Sequence, residues 1–312
     1  MSFAPLRVEW PEGKTFAFSV FDDPDAETLA DSEAIYGFLG DLGFRTTKAV
    51  WMVGPIREEN SPGETCANPK FRRHCLDLQS AGFEIGWHHA APHSSFRQET
   101  IAALDAFRDC FGADPSSMAN HYNDEAIYWT ADRLTGWRRA AYRLLSRGRD
   151  RRYFGADPES PYFWGDICRE RIRYCRNFVF RGPNNLRECP WAPYHDASKP
   201  YVQAWFSSTE GANCASYLQG IDEAAQDRLE AEGGLCVMYT HFGHHFRPGG
   251  ELHPRFRELM RRLSGKNGWF APASTILDYL REQRGGLHEL STAERATLER
   301  RWLKEKLFHG TS

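Results

Sequence analysis

Residues 15–25, TFAFSVFDDPD, form the stretch from which the fold can be worked out. Its first part, 15–21, is an apolar run rich in β-prone residues, which is typical of a buried strand. The run stops at Asp22 and Asp23, so the strand delivers two carboxylates to its carboxyl end. Neighbouring side chains of an extended chain point in different directions, so one carboxylate can ligate a metal ion while the other acts as a base. A turn or helix-cap cluster is the competing interpretation.

Strand and helix patterns alternate after this stretch. Strands are predicted at 49–53, 83–88 and 234–239, and helices at 27–42, 71–80, 99–111 and 274–281. This alternation favours a parallel sheet with crossover helices, and folds of that kind place their ligand sites at the carboxyl ends of the strands.

The bulk properties predict one large domain. The chain has 312 residues, a formal net charge of −3, and no internal repeat or convincing linker. We therefore expect a single domain over 1–312, with an Arg-rich insertion around 130–160 and a charged helical tail from about 291. A net charge of this sign gives no general attraction to nucleic acid, so no nucleic-acid partner is expected.

The Arg-rich insertion allows two interpretations. Its arginines are Arg133, Arg138, Arg139, Arg143, Arg147, Arg149, Arg151 and Arg152. They can face a phosphate-bearing substrate or an anionic membrane surface, which would permit peripheral membrane contact. A solvated helical face is the alternative.

The location is predicted to be cytoplasmic. Residues 1–11 contain no apolar run long enough for a secretory signal, and no stretch approaches the length of a transmembrane segment. The eight cysteines are scattered without a C-x-x-C pair, which favours reduced thiols.

Histidines cluster after the third predicted strand and recur further along the chain. The segment GWHHAAPH places His88, His89 and His93 within a short loop. Imidazole is a common ligand of zinc and other divalent ions, and such a loop can aim two rings at one ion. His121 can supply a third imidazole, although a single loop histidine is more often structural. His241 ends the strand at 234–239, where it is well placed to act as a general acid.

At these residues the sequence resembles the polysaccharide-deacetylase superfamily, the NodB-homology or carbohydrate esterase family 4 proteins. Phe21-Asp22-Asp23 is similar to the first motif of the family, and Glu84-Ile85-Gly86-Trp87-His88 to its second. The resemblance implies a distorted (β/α) barrel with extra helices and loops. It also implies Asp22 as general base, His241 as acid, and Asp23, His88 and His93 as ligands of a divalent ion, with zinc expected. His121 is expected to complete the site.

A second resemblance covers nearly the whole chain and is to a divergent branch of deacetylase-like proteins associated with O-antigen and capsule biosynthesis. It is carried by segments such as Tyr162-Phe163-Trp164-Gly165-Asp166 and Trp205-Phe206-Ser207-Ser208. The sequence departs from the family in two places: Pro24 replaces a glycine, and Asn120-His121 stands where an Arg-x-Pro-Tyr motif is expected. In addition, His89 rather than His88 has the usual spacing to His93, so either can be the ligand.

These features predict a metal-dependent hydrolase acting on carbon–nitrogen bonds other than peptide bonds. The expected reaction removes an N-acyl group, in the first instance acetyl, from an amino sugar used in surface polysaccharide biosynthesis. The substrate would be a small-molecule or lipid-linked carbohydrate. The alternative is a catalytically inactive sugar- or metal-binding protein on the same scaffold, and a hydrolase acting on another bond also remains open.

Overall fold

The computed structural model describes residues 8–146 and 151–310 of the chain, so Arg147 and Arg149 of the predicted Arg-rich insertion lie outside the described residues. The strands are β1 Phe16–Asp22, β2 Thr47–Val50, β3 Glu84–Trp87, β4 Ser117–Met118, β5 Tyr174–Phe180, β6 Tyr194–His195, β7 Ala204–Thr209, β8 Leu235–Thr240, β9 Gly268–Phe270 and β10 His288–Glu289.

Helices separate most of these strands. They are α1 Leu29–Asp41, α2 Pro69–Ser80, α3 Arg97–Phe111, α4 Gly136–Leu145, α5 Gly165–Arg171, α6 Asn185–Glu188, α7 Cys214–Gly220, α8 Glu223–Glu232, α9 Pro254–Ser264, α10 Ala273–Gln283 and α11 Thr292–His309. Short 3₁₀ turns occur at Pro11–Gly13, Thr130–Arg133 and Pro248–Gly250.

Seven parallel strands close into a barrel in the order β1, β2, β3, β4, β5, β7 and β8. β8 returns to β1 along its whole length, from Ala17 opposite Leu235 to Asp22 opposite Thr240. β7 and β8 meet at a single pair, Thr209 and Met238, so closure is weakest there. The distorted (β/α) barrel that the sequence predicts is confirmed.

The alternation of side chains along β1 explains how the barrel is filled. Phe16, Phe18 and Val20 belong to the larger cluster of buried apolar side chains, which includes residues of the surrounding helices, whereas Ala17 and Phe21 belong to a second cluster. That second cluster contains residues of the other strands and of α10. Because both faces of the strand are covered, β1 reads as one continuous apolar run.

Helix α11 packs beside α4, and a shared carboxylate joins the two helices. Glu299 of α11 is fully buried and accepts a hydrogen bond from Thr135 Oγ1 at 3.0 Å. It also forms an ion pair with Arg138. The Trp302 and Tyr142 rings lie 5.5 Å apart across the same junction. Helix α4 of the Arg-rich segment is therefore fixed against α11.

The described part of the chain contains no helix long and apolar enough to cross a bilayer.

Candidate active site

The barrel gathers polar side chains at the carboxyl ends of its strands. Asp23 follows β1, His88 follows β3, His121 follows β4 and His241 follows β8. These residues line one cavity of about 380 Å³. Its full lining is Asp23, Asp25, His88, Asn120, His121, Tyr122, Trp129, Thr130, Arg133, Tyr142, Arg151, Tyr153, Arg176, Tyr239, His241, Trp302 and Lys306. The convergence of distant segments that the sequence predicts is present.

Asp25, His88 and His121 form a group that can hold a metal ion, since each offers a ligand atom within 4.8 Å of the others. Asp25 Oδ1 lies 3.0 Å from His121 Nε2, and Asp25 Oδ2 lies 3.3 Å from His88 Nε2. All three side chains are buried. Both ring nitrogens of His88 and Asp25 Oδ2 lack a well-formed hydrogen bond within the described residues. Buried polar atoms are rarely left without a partner, so this set fits a divalent ion.

The electrostatics of this group favour an ionised Asp25 and a neutral His88. Burial would raise the pKa of Asp25, but hydrogen bonds and charge from His121 and His88 hold it well below its usual value. Burial lowers the pKa of His88 despite the nearby carboxylates of Asp23 and Asp25. Burial acts to lower the pKa of His121, but the hydrogen bond and charge of Asp25 raise it above its ordinary value. A neutral imidazole and an ionised carboxylate are the forms that bind metal ions.

The loop after β4 orients His121. The Asn123 side chain donates from Nδ2 to the carbonyls of Ala91 and His93, both at 2.9 Å, so its Oδ1 faces the other way. That oxygen lies 2.9 Å from His121 Nδ1 and can only accept a hydrogen bond from it. Nδ1 therefore carries a proton. Such hydrogen bonds commonly fix the tautomer of a metal-binding histidine. Nε2, 3.0 Å from Asp25 Oδ1, also donates here, and it is the ring nitrogen that would give up its proton to bind an ion.

Asp23 lies beside this group and is held by a buried arginine. Arg176 of β5 donates from Nη1 to Asp23 Oδ1 at 2.9 Å and from Nη2 to Oδ2 at 2.5 Å. The guanidinium also lies 4.2 Å from the centre of the Tyr239 ring. Asp23 Oδ1 is 3.7 Å from His88 Nδ1, so the carboxylate faces the Asp25 group while Arg176 fixes its plane.

His241 lines the cavity and turns one ring nitrogen toward the carboxylates. Its Nδ1 lies 2.6 Å from the Ala212 carbonyl, which can only accept, so Nδ1 carries a proton. Its Nε2 faces Asp25 Oδ2 at 3.7 Å, Asp23 Oδ2 at 3.9 Å and the Tyr239 hydroxyl at 3.3 Å. Nε2 is therefore the ring nitrogen that faces the carboxylates of Asp23 and Asp25.

The structure places Asp22 away from the cavity, where it cannot reach a substrate. Its Oδ2 accepts from Lys48 Nζ at 2.8 Å and from the Tyr36 hydroxyl at 3.0 Å, and its Oδ1 accepts from the Phe242 N–H at 2.8 Å. The side chain is fully buried, and Lys48 also forms an ion pair with buried Glu27. Burial raises the pKa of Glu27 to about 8. The base role expected of Asp22 therefore has no geometric support, and its contacts are those of a structural anchor joining β1, β2 and the end of β8.

His93 and His89 also lie outside the Asp25 group. The His93 ring is turned to the Ser94 carbonyl, 3.1 Å from Nδ1, and is only 2% exposed. His89 adopts a left-handed backbone with φ 68° and directs its ring toward Glu125, 3.6 Å away. Of the two histidines between which the sequence left the choice open, His88 is the one that belongs to the Asp25 group, and Asp23 lies beside that group.

The buried carboxyl of Glu125 makes the stability of the protein depend on pH in a way that can be measured. Burial raises the pKa of this carboxyl to about 8, against 4.5 in its ordinary state. The folded protein therefore binds one more proton than the unfolded chain between these values. Its stabilising contribution is complete below about pH 4.5 and is lost, by up to a few kcal/mol, as the pH rises through 8.

We expect Glu125→Gln to flatten the fall in unfolding free energy between about pH 5 and pH 8.5. Denaturant unfolding at three or four pH values measures this slope. Glu33→Gln, which changes an exposed carboxylate of α1, serves as the matched control and should leave the slope unchanged. An equally steep fall in Glu125→Gln would mean that the carboxyl titrates normally.

Several cavity residues were not predicted from the sequence. Asp25 was visible in the DDPD segment, but the sequence assigned no role to it. Arg176 had a detectable signal, because a lone arginine interrupts the apolar run of β5. Arg133 was named only as one of eight arginines of the Arg-rich insertion. Trp129 and Trp302 had no signal, since aromatic residues are frequent throughout this chain.

No protein-family model matches the sequence, and a search of curated protein sequences gives no match. Among solved structures, a candidate polysaccharide deacetylase from Mycobacterium smegmatis superposes with a TM-score of 0.50 and 17% identity, covering 93% of this chain and 98% of that chain. A candidate polysaccharide deacetylase from Pseudomonas aeruginosa PAO1 gives 0.51 and 12%, covering 89% and 95%. At these identities the likeness establishes the fold, the (β/α) barrel of polysaccharide deacetylases.

Proposed function

We propose that this protein is a metal-dependent hydrolase that removes an N-acyl group, in the first instance acetyl, from an amino sugar. The observation that carries the proposal is the convergence, in one cavity, of the buried group Asp25, His88 and His121 with Asp23 and His241. A base, an acid and a candidate ion site within a few ångströms are the components that amide hydrolysis requires.

We propose Asp25, His88 and His121 as the residues that would hold the ion, in place of the expected set Asp23, His88, His93 and His121. One carboxylate and two imidazoles suit zinc, our proposed metal, and resemble three-ligand catalytic zinc sites. When bound, the ion supplies Lewis-acid polarisation of the acyl carbonyl. The Trp51 ring, 5.4 Å from the His121 ring and 5.7 Å from the His88 ring, shields the ligands on one side.

Asp23 acts as the general base in place of Asp22. It takes a proton from the attacking water, whose oxygen forms the new bond to the acyl carbon. Arg176 is the positioning residue, because its two hydrogen bonds hold the carboxylate in one plane.

His241 acts as the general acid. As the carbon–nitrogen bond breaks, its Nε2 donates a proton to the leaving amine. The Ala212 carbonyl keeps the ring oriented through Nδ1, so Nε2 is always the nitrogen that faces the substrate. The products are an amine and a carboxylate.

We further propose that the substrate is a precursor of a surface polysaccharide, in small-molecule or lipid-linked form, and that the protein acts in the cytoplasm. The aromatic rings of the cavity support a sugar, since such rings pack against apolar sugar faces. The proposed pathway is supported by the resemblance to proteins associated with O-antigen and capsule biosynthesis. The proposed cytoplasmic location is supported by the scattered cysteines.

A catalytically silent sugar- or metal-binding protein is the second candidate. The pairing of Arg176 with both oxygens of Asp23 favours it, because a carboxylate so engaged is a weaker proton acceptor. It predicts binding of an acetylated sugar without release of acetate.

Acetate release distinguishes the two candidates. Zinc-loaded protein is incubated with a panel of N-acetylated free, nucleotide-linked and lipid-linked amino sugars. We expect release from at least one member, a loss of about 100-fold or more on chelation, and recovery on adding zinc back. Binding of a panel member with no acetate release would contradict the hydrolase proposal, as would release that chelation leaves unchanged.

A further inference from the structure

Arg133 is a buried cation that has no counter-charge among the residues that the structure describes. Its side chain is 3% exposed, lines the cavity, and makes no hydrogen bond or ion pair with any other described residue, and its Nε atom has no acceptor. Burying an unpaired charge costs several kcal/mol, so groups of this kind are normally paired. Burial accordingly lowers the pKa of Arg133 to about 10.

Two tryptophans hold the guanidinium in place. Arg133 Cζ lies 3.7 Å from the centre of the Trp129 ring and 5.4 Å from that of Trp302, which belongs to α11. Contact with aromatic rings stabilises a desolvated guanidinium but leaves its N–H groups unsatisfied, because these point outward in the plane of the group.

The segment that carries Arg133 is under backbone strain. Tyr128 and Thr130, which flank Trp129, both have φ of 50°. The left-handed region is unfavourable for a β-branched residue, and such conformations persist where the surrounding structure enforces them.

The other arginines of the segment that the structure describes have partners. Arg151 pairs with Asp124 at 2.5 Å, Arg152 pairs with Asp157 at 2.7 Å, and Arg139 pairs with Asp132. Within the cavity, Arg176 is bound to Asp23. Arg133 is therefore set apart from a general basic surface, which explains why the Arg-rich composition alone did not identify it.

We propose that Arg133 binds an anionic oxygen group of the substrate, a phosphate or a carboxylate, so that the protein acts on acidic rather than neutral amino sugars. This inference rests on the proposed function and specifies its substrate class. A guanidinium donates two parallel hydrogen bonds to either anion, and desolvation between two tryptophans strengthens them. The anion supplies the missing counter-charge.

Binding can be measured separately from hydrolysis by calorimetry on zinc-loaded Asp23→Asn protein. The probes are N-acetylglucosamine 1-phosphate, N-acetylglucosaminuronic acid and uncharged N-acetylglucosamine. We expect at least one charged probe to bind about 10-fold or more tightly than the uncharged one, and the tighter of the two identifies the anion as phosphate or carboxylate. Adding Arg133→Met should reduce the ratio to about 1.

Arg152→Met is the matched control, since it removes an ion-paired arginine whose side chain is 66% exposed and should keep the ratio. Because an unpaired buried charge is removed, the unfolding midpoint of Arg133→Met should be unchanged or higher. Arg133→Gln serves as a second neutral variant if the methionine variant does not fold. Equal binding of charged and uncharged probes to the parent would overturn the inference, as would a preference that survives both variants. Absence of acetate release would count against the proposed function but not against this binding result.

Discussion

Replacing Asp25 with alanine is expected to abolish binding of the divalent ion and to lower kcat/KM for acetate release by at least about 10³-fold. Asp25 supplies the only carboxylate in the group with His88 and His121, and both of its oxygens face an imidazole. Without it the two rings offer an incomplete ligand set. Metal analysis of the purified variant, together with acetate release at saturating zinc, measures both effects.

The matched control is Asp41→Ala, which removes an exposed carboxylate at the end of α1. It should keep both the metal and the activity. A metal content in Asp25→Ala equal to that of the parent would mean that the ion binds elsewhere, and the ligand set proposed above would be wrong.

Asp23→Asn is expected to lower kcat by about 10²- to 10⁴-fold while the zinc content stays at the parent value. Asparagine preserves the size of the side chain and one acceptor for Arg176, but it cannot take a proton from water. The loss should therefore fall on kcat rather than on KM or on metal affinity.

Asp22→Asn is the informative comparison, because the two aspartates are adjacent but differently placed. Asp22 anchors buried Lys48, so its loss should lower the free energy of unfolding by roughly 3 kcal/mol while the folded fraction keeps most of its activity. The reverse result, with Asp22→Asn inactive but stable and Asp23→Asn active, would restore the base role that the sequence alone suggested.

The sequence predicted the barrel because its most regular parts are strongly patterned. Apart from Ser19, β1 and β8 are apolar up to their last residues, Asp22 and Thr240, which directly precede Asp23 and His241. Strands β5 and β7 were not predicted. Arg176 and Asn177 interrupt the first, and the second has a polar end, Ser207 to Thr209, that is buried only by its neighbours. β4 has two residues, too few for any periodicity.

The sequence predicted where the site lies in the fold, but it predicted only some of the residues that form it. The alternation rule indicated that Asp22 and Asp23 point in different directions, but it could not indicate which of them faces the cavity. That depends on Lys48 and Arg176, which are distant in sequence. Asp25 reaches the histidines because the chain turns after Pro24, where Ala26 adopts φ 56° and its N–H binds the Pro62 carbonyl. A contact with such a remote loop leaves no local pattern.

The contribution of α4 and α11 to the lining of the cavity was likewise not predictable from the sequence. The sequence indicated an Arg-rich helix and a charged C-terminal helix, but their meeting depends on the buried carboxylate of Glu299. That contact brings Trp302 over Arg133. The contact between Arg133 and Trp302 therefore depends on the packing of the two segments and could not be predicted from either segment alone.

The most direct test of the account is an anomalous-scattering map of crystals of the zinc-loaded protein, recorded on both sides of the zinc absorption edge. We expect one strong peak among Asp25 Oδ, His88 Nε2 and His121 Nε2, with Asp23 and His241 facing it and His93 away from it. A peak coordinated by Asp22 or His93, or no peak in this cavity, would contradict the proposed metal centre and the hydrolysis that depends on it.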